Sequence, residues 1–329
     1  MTGAAATVTI AAEDGPGRLD RWFRRHYPAI AHGRLEKLLR TGQIRVDGKR
    51  AKAGDRVTPG QSIRIPPLDA PTPDASAALR QVSPADAAML QAAVIHLDEA
   101  VIVLNKPPGL AVQGGTKSER HLDGMLDGLR FGHAERPRLV HRLDKDTSGV
   151  LVIARTAAAA AFLTRAFRDK TTRKIYWALA VGLPKPPQGR ISLALAKRAG
   201  QGGERVRADP DEGKPAVTYY RTVDNVGEQA SWLALLPVTG RTHQLRAHCA
   251  AIGAPILGDG KYGGAAAHLA GLPNAGRLHL HARSLSIPLP QGGRLQATAP
   301  LPLHMRQSWD FFGFPGDVED PFAGLDLPQ

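Results

Sequence analysis

Apolar residues recur at i, i+3 and i+4 in two short N-terminal stretches, Leu19, Trp22, Phe23 and Leu35, Leu38, Leu39. That spacing puts each triplet on one face of a helix. Gly42 stands where a glycine C-cap closes the second one. Beyond it, QIRVDGKRAKAGDRVTPGQSIRI reads as short strands around tight turns at Asp47-Gly48 and Pro59-Gly60. The pattern then lapses. From Pro66 to Ala92, five prolines and many small residues predict a semi-rigid linker.

From Val94 onward strand patterns dominate: VIHLD, VIVLNKP, VLVIA, IYWALAVG, AVTYYRTV, WLALLPV and RLHLHARSLSI. Helical spacing is confined to 156–169, where Thr156 is the expected N-cap, and to about 243–252, before Gly253. VLVIA at 150–154 is apolar and β-branched, the composition of a central strand. Most connections between strands are too short for parallel crossovers. The expected fold is therefore α+β, a mainly antiparallel mixed sheet with helices packed on it, preceded by a small N-terminal α/β module. The boundaries are 1–66 for the module, 67–92 for the linker and 93–329 for the large domain.

Composition narrows the class. A chain of 329 residues has room for one large core plus one small module. No apolar run approaches the roughly 18 residues of a membrane span. The N-terminus, MTGAAATVTIAAEDGPG, has neither the basic start nor the apolar stretch of a signal peptide. The single cysteine, Cys249, excludes an internal disulfide and a cysteine-rich zinc site, and it suits a reducing cytoplasm.

Charge changes the picture more. The net charge is +13, and the stretch from Arg18 to Arg64 holds 13 Lys or Arg against four acids, or +9 of that total. The last twenty residues hold five acids and no Lys or Arg. An excess placed so unevenly points to an N-terminal module that touches a polyanion, nucleic acid ahead of a membrane surface. The bland alternative is a solvated basic face with no ligand.

Familiar catalytic signatures are missing. The chain has no G-x-x-x-x-G-K-[ST] phosphate cradle and no G-x-S-x-G elbow, and the HRLD at 141–144 lacks the companions of a kinase. His279 and His281 share a strand face, and His243 and His248 flank a helix; with no HExxH or cysteine cluster they read as packed or RNA-facing residues rather than metal ligands. What remains is LVHRLDKDTSGVLVIART at 139–156, where Asp144 and Asp146 lie in the loop that enters the central strand. Loops on rigid scaffolds often carry catalytic groups. Taken alone, both acids read equally well as a polar turn.

The string HRLDKDTSGVLVIA closely resembles the signature of the RNA pseudouridine synthases that modify large-subunit ribosomal RNA. Further matches follow in order: LNKPPGLAVQGG at 104–115, RKIYWALAVG at 173–182, GRTHQLRAH at 240–248 and APILGDGKYGG at 254–264. LHLHA at 278–282 and ATAPLPLHM near the end fit as well. The N-terminal stretches RLDRWF, RLEKLLRTGQIRVDGKRAKAGDRV and PGQSIRI resemble the small RNA-binding module named after a small-subunit ribosomal protein. Gln113 departs from the family subgroup with several target uridines, which often has His before the Gly-Gly pair.

The resemblance implies isomerisation of uridine to pseudouridine in large-subunit ribosomal RNA, by a monomer that needs no cofactor and no metal. It assigns the catalytic carboxylate to Asp144, an ion-pair partner for that carboxylate to Arg246, and the ring that stacks on the target base to Tyr176. Leu245 is implied to cap the other face of the uracil, and Arg142 to fill the space that the flipped base leaves. Asp146 is left a turn residue. In the basic module the implied RNA contacts are Arg34, Lys37, Arg40, Lys49, Arg50 and Lys52. Two alternatives stay open: the same chemistry on transfer RNA, and a non-catalytic RNA-binding or ribosome-assembly factor.

Overall fold

A computed structural model describes residues 5–27, 30, 32–68, 82–114, 120–198 and 205–324. The chain divides into two compact units, Met1–Gln81 and Val82–Gln329. The prolines at 71 and 73 in the expected linker, and Gly115 of the QGG motif, lie outside the described residues.

In the first unit, β1 (Ala6–Thr9) and β2 (Gly17–Arg18) precede helices α1 (Leu19–His26) and α2 (His32–Arg40). Both expected apolar triplets face inward, where Trp22 and Phe23 pack with Leu35, Leu38 and Leu39 around Ile44 and Ile63. Gly42 adopts φ +73°, and the amides of Gly42 and Gln43 return to the carbonyls of Leu39 and Leu38, closing α2 as the sequence predicts. Strands β3 (Arg45–Val46) and β4 (Lys49–Arg50) form a hairpin over Asp47-Gly48, both with positive φ. Its geometry suits the right-handed twist of the strands. β5 (Arg56–Val57) pairs with β2, and β6 (Ser62–Ile65) joins β1 to β3.

The second unit opens with α3 (Pro84–Ala92), inside the stretch expected to be linker. Ser83 Oγ accepts from the Asp86 amide and Pro84 occupies the first turn, so one of the five prolines starts a helix rather than a spacer. Then come β7 (Val94–Leu97), β8 (Val101–Lys106), the short α4 (Leu122–Met125), β9 (Arg138–Leu139), β10 (Ser148–Ala154) and α5 (Ala157–Arg168). Thr156 caps α5 by accepting from the Ala159 amide at 3.0 Å. They are followed by β11 (Arg173–Val181), β12 (Gln188–Arg198), β13 (Arg205–Ala208), β14 (Lys214–Val226), β15 (Ala230–Pro237), α6 (Gln244–Ala251), β16 (Leu280–Pro288), β17 (Arg294–Thr298) and α7 (Leu303–Phe312).

One sheet of eleven strands runs β13-β12-β14-β15-β11-β16-β10-β8-β7, with β17 on β16 and β9 on β10. Among the described residues every pairing is antiparallel except β10 with β16, so the expectation of a mainly antiparallel α+β fold is met. β10 is buried at all seven positions. Its Leu151 and Ile153 pack toward Leu122 and Leu126, while Val150 and Val152 pack toward Leu163 of α5. That double-sided core fixes the strand, and with it the loop that enters it. On another part of the sheet Trp177 and Trp232 meet Trp309 of α7 and Phe314 in a cluster of edge-on rings.

Candidate active site

The loop at 144–147 is held from three directions. The Thr147 amide closes a turn on the Asp144 carbonyl at 3.2 Å. Ser148 Oγ lies 2.9 Å from His281 Nδ1. The other ring nitrogen of His281 lies 3.1 Å from the Ala299 carbonyl, which can only accept, so Ser148 donates to Nδ1. Burial lowers the His281 pKa to about 4, which keeps the ring neutral in that role. Gly149 has φ +107°, and a Cβ there would lie 2.2 Å from the Ala282 carbonyl oxygen of β16. Only glycine allows the two strands to approach so closely where they pair in parallel.

The third anchor is Lys106, at the end of β8 and fully buried. Its Nζ donates to the carbonyls of Pro107 at 2.8 Å, Leu110 at 2.9 Å and Lys145 at 3.0 Å. Three carbonyls take three N–H donors, which only the ammonium form supplies. Burial lowers its pKa to about 7, against the pull of Asp146 and Asp144. The Lys145 carbonyl belongs to the peptide between the two acids, so Lys106 ties that peptide to the sheet.

A cleft of about 490 Å³ opens above this loop, lined on one side by His141, Arg142, Asp144, Lys174 and Tyr176. The opposite side is the segment Val238–Arg246. Asp144 is the one carboxylate among the described residues lining it. Asp146 is exposed and absent from the lining. Tyr176 reaches the cleft from β11, opposite Ala282 across the sheet. Burial, and then the Asp144 charge, push its phenol pKa up, so the hydroxyl stays protonated. Leu245, 7 % exposed, and Arg246 come from α6. Arg142 is exposed at the rim, where its guanidinium donates to Thr242 Oγ1 at 3.1 Å. All five residues that the sequence marks in this domain therefore meet in one cleft.

One expected contact is different. Arg246 does not pair directly with Asp144; its Nε and Nη2 donate to Asp259 at 2.8 and 2.6 Å. Asp259 is 1 % exposed and also accepts from the amides of Lys261 and Tyr262, so the GDGKY loop presents a carboxylate ready for the guanidinium. Desolvation opposes the Arg246 charge, and the bond to Asp259 outweighs it, with Asp144 a further electrostatic contributor. The basic group nearest to Asp144 is His243, whose Nε2 lies 3.9 Å from Oδ2. Tyr262 Oη accepts from the Val206 amide and lies 2.8 Å from His243 Nδ1, which holds the ring in place beside the acid. Burial lowers the His243 pKa against the pull of Asp144.

Gln244 explains why the loop before α6 holds its shape. Its amide oxygen accepts from Thr239 Oγ1 and the Arg241 amide, and its nitrogen donates to the Val217 carbonyl and Thr218 Oγ1. His141 is turned away from chemistry: Nε2 accepts from the Val152 amide at 2.8 Å, and the ring stacks on Phe167. Burial lowers its pKa to about 3.

Sequence reasoning did not single out Lys106, His243, Asp259 or Lys174 as site residues. Lys106 ends an apolar strand directly before Pro-Pro, an unusual place for a lysine, and that was the available signal. Asp259 stands 13 residues beyond Arg246 in a loop, where no local periodicity links the two.

In the first unit, Lys37, Arg40, Lys49, Arg50 and Lys52 are exposed and Arg34 is half-buried. Arg50 lies against the end of α2, its Nε 3.0 Å from where a Gly42 Cβ would sit. The helix end and the hairpin thus present one basic surface.

Residues 100–251 match the family model described as RNA pseudouridylate synthase. The chain is 35% identical to ribosomal large subunit pseudouridine synthase C of Rickettsia conorii, over 86% of this chain and 94% of that protein. The corresponding protein of Vibrio cholerae is 34% identical, over 90% of this chain and 93% of its own length. Among solved structures, human RNA pseudouridylate synthase domain containing 4 superposes with a TM-score of 0.58 at 30% identity, over 68% of this chain and 94% of that one.

Proposed function

Because the chain belongs to the RNA pseudouridylate synthase family, whose members isomerise uridine to pseudouridine, we propose that its substrate is large-subunit ribosomal RNA and that Asp144 is its catalytic carboxylate. The observation that carries the assignment is that Asp144 is the one carboxylate lining a cleft otherwise rich in cations and shared with Tyr176, Leu245 and Arg246. The substrate assignment is supported by the bacterial relatives, which are ribosomal large subunit pseudouridine synthases.

The reaction detaches uracil from the ribose, turns it and rejoins it through carbon 5. Asp144 supplies the carboxylate needed beside the sugar. Arg246, itself held by Asp259, keeps a fixed positive charge near that acid, and the His243 ring stands 3.9 Å from it. Tyr176 stacks on the base. Such stacking is worth roughly 1–3 kcal/mol, comparable to the few kcal/mol that flipping a base costs. Leu245 covers the other face, and Arg142 at the rim occupies the vacated stack.

The exposed cations of the first unit hold RNA phosphates without reading sequence, in the manner of the ribosomal-protein module it resembles. We propose further that the protein acts as a monomer in the cytoplasm; the residues assigned to the reaction all lie in the second unit. Among the described residues no helix is long and apolar enough to cross a membrane.

Release of tritium from RNA labelled at carbon 5 of uridine tests this reading. The wild type should release tritium from a large-subunit transcript and not from transfer RNA. Release confined to transfer RNA would overturn the substrate, and release from neither would overturn the activity.

A further inference from the structure

Lys174 and Tyr176 lie two residues apart on β11, so their side chains leave the same face of the strand, roughly 6.6 Å apart. Both line the cleft. Tyr176 has an assigned partner in the base, whereas Lys174 has none. It is half-buried, and among the described residues no carboxylate, hydroxyl or carbonyl accepts from it. Its surroundings offer no compensation. The neighbouring His141 ring already uses its acceptor nitrogen on Val152, and Phe167 is apolar. Desolvation is the only influence acting on the Lys174 ammonium, and it lowers the pKa.

An ammonium withdrawn from water with no counter-ion is costly. Such a group is tolerated where a ligand supplies the anion. The cleft gives that anion a way in. Arg142, Lys170 and Arg241 stand along its lining, and the described residues offer none of them a carboxylate partner. Asp144 cannot be the intended partner of Lys174, since it figures neither as a bond nor as an electrostatic neighbour of that lysine.

We propose that Lys174 binds a backbone phosphate of the RNA strand beside the target uridine, at the same time as Tyr176 stacks on the base. This rests on the reading that the cleft takes a flipped uridine, and it adds a determinant that holds the strand rather than the base. The strand spacing of the two side chains is about the reach from a nucleotide's base to its own backbone. A phosphate seated there would neutralise the buried charge, so the cleft discriminates a nucleotide within a strand from a free nucleoside.

The test compares wild type, Lys174→Met and Lys174→Arg in the full chain, all checked to melt no lower than wild type. Tritium release from the labelled large-subunit transcript gives kcat and KM. Binding to oligouridylate across a potassium chloride titration needs no turnover. Lys174→Met should raise KM roughly ten- to a hundredfold with little change in kcat, the size of one charge-assisted hydrogen bond. Its binding should show a salt slope shallower by about 0.7, one phosphate's worth on a single strand. Lys174→Arg should recover most of both. An oligouridylate with uncharged methylphosphonate linkages should bind wild type and Lys174→Met equally. Unchanged KM and salt slope in Lys174→Met would overturn the proposal. So would a loss confined to kcat, which would make Lys174 a proton-transfer group. A wild type that releases no tritium would overturn the substrate reading instead, while the binding arm still decides this one.

Discussion

The N-terminal unit and the candidate cleft are both rich in cations, and they hold them in opposite ways. In the first unit Lys37, Arg40, Lys49, Arg50 and Lys52 stand exposed. In the cleft and beneath it, Arg246 is clamped to Asp259, Lys106 is buried under three carbonyls, and Lys174 is half-buried with no partner. Water screens the first group, so each charge there is worth little alone and acts by number. The second group is desolvated, and each member needs a specific partner. On the proposed function, the first region gathers RNA and the second fixes geometry.

That contrast predicts a gradient of mutational effects. The largest belongs to the backbone under the cleft. Gly149→Ala should cost more than about 4 kcal/mol in urea unfolding, because its Cβ would meet the Ala282 carbonyl at 2.2 Å in a left-handed conformation. A loss below about 1 kcal/mol would mean that β10 and β16 can separate freely. Asp259→Asn should follow, at roughly 3–5 kcal/mol, since it strands the Arg246 guanidinium in a buried site. A double variant with Arg246→Met should recover part of this loss, and an additive loss would show that the two do not act as a pair.

Lys106 gives the contrast a pH dependence. Burial lowers its pKa in the folded protein to about 7, from the ordinary lysine value of 10.5 that the unfolded chain keeps. Between those values the unfolded chain binds more protons than the folded one, so stability contributed through Lys106 rises with pH across this window. Below about 7 both states are protonated and the slope vanishes. The stability difference between wild type and Lys106→Met should therefore move in favour of wild type from about pH 7 upward; a difference flat across that range would contradict the lowered pKa of Lys106. The smallest effects belong to the surface. Lys49→Gln should change stability by less than about 0.5 kcal/mol while making the salt dependence of RNA binding slightly shallower, and replacing Lys37, Arg40, Lys49 and Lys52 together should flatten it clearly.

How much of this was legible depended on whether the cause was local. The triplets of α1 and α2, the Thr156 cap and the apolar β10 all follow from residues within a few positions, and all were readable. Helix α3 was missed because proline content was weighed ahead of position: Ser83 and Pro84 together form a helix start. The long β12–β13 pair, among the described residues, went unread although Ile191, Leu193 and Leu195 alternate as a strand requires, because that short run is flanked by Gly, Arg and Lys and its partner β13 has one buried residue, Val206. In the site, Asp144, Tyr176, Arg246, Leu245 and Arg142 were marked by resemblance, and the cleft gathers all five. The partner of Arg246 was not legible. Which carboxylate meets a guanidinium depends on how α6 and the loop at 259–262 pack, a tertiary fact without a sequence period. The burial of Lys174 is hidden for the same reason.

The sharpest division is between two neighbours on one loop, Asp144 lining the cleft and Asp146 exposed outside it. Tritium release from a large-subunit transcript labelled at carbon 5 of uridine, measured for Asp144→Asn and Asp146→Asn side by side, tests that division directly. Asp144→Asn should lose at least about 10⁴-fold in rate while still binding RNA, and Asp146→Asn should stay within about threefold of wild type. Equal losses in the two variants, or an active Asp144→Asn, would contradict the assignment of the catalytic carboxylate.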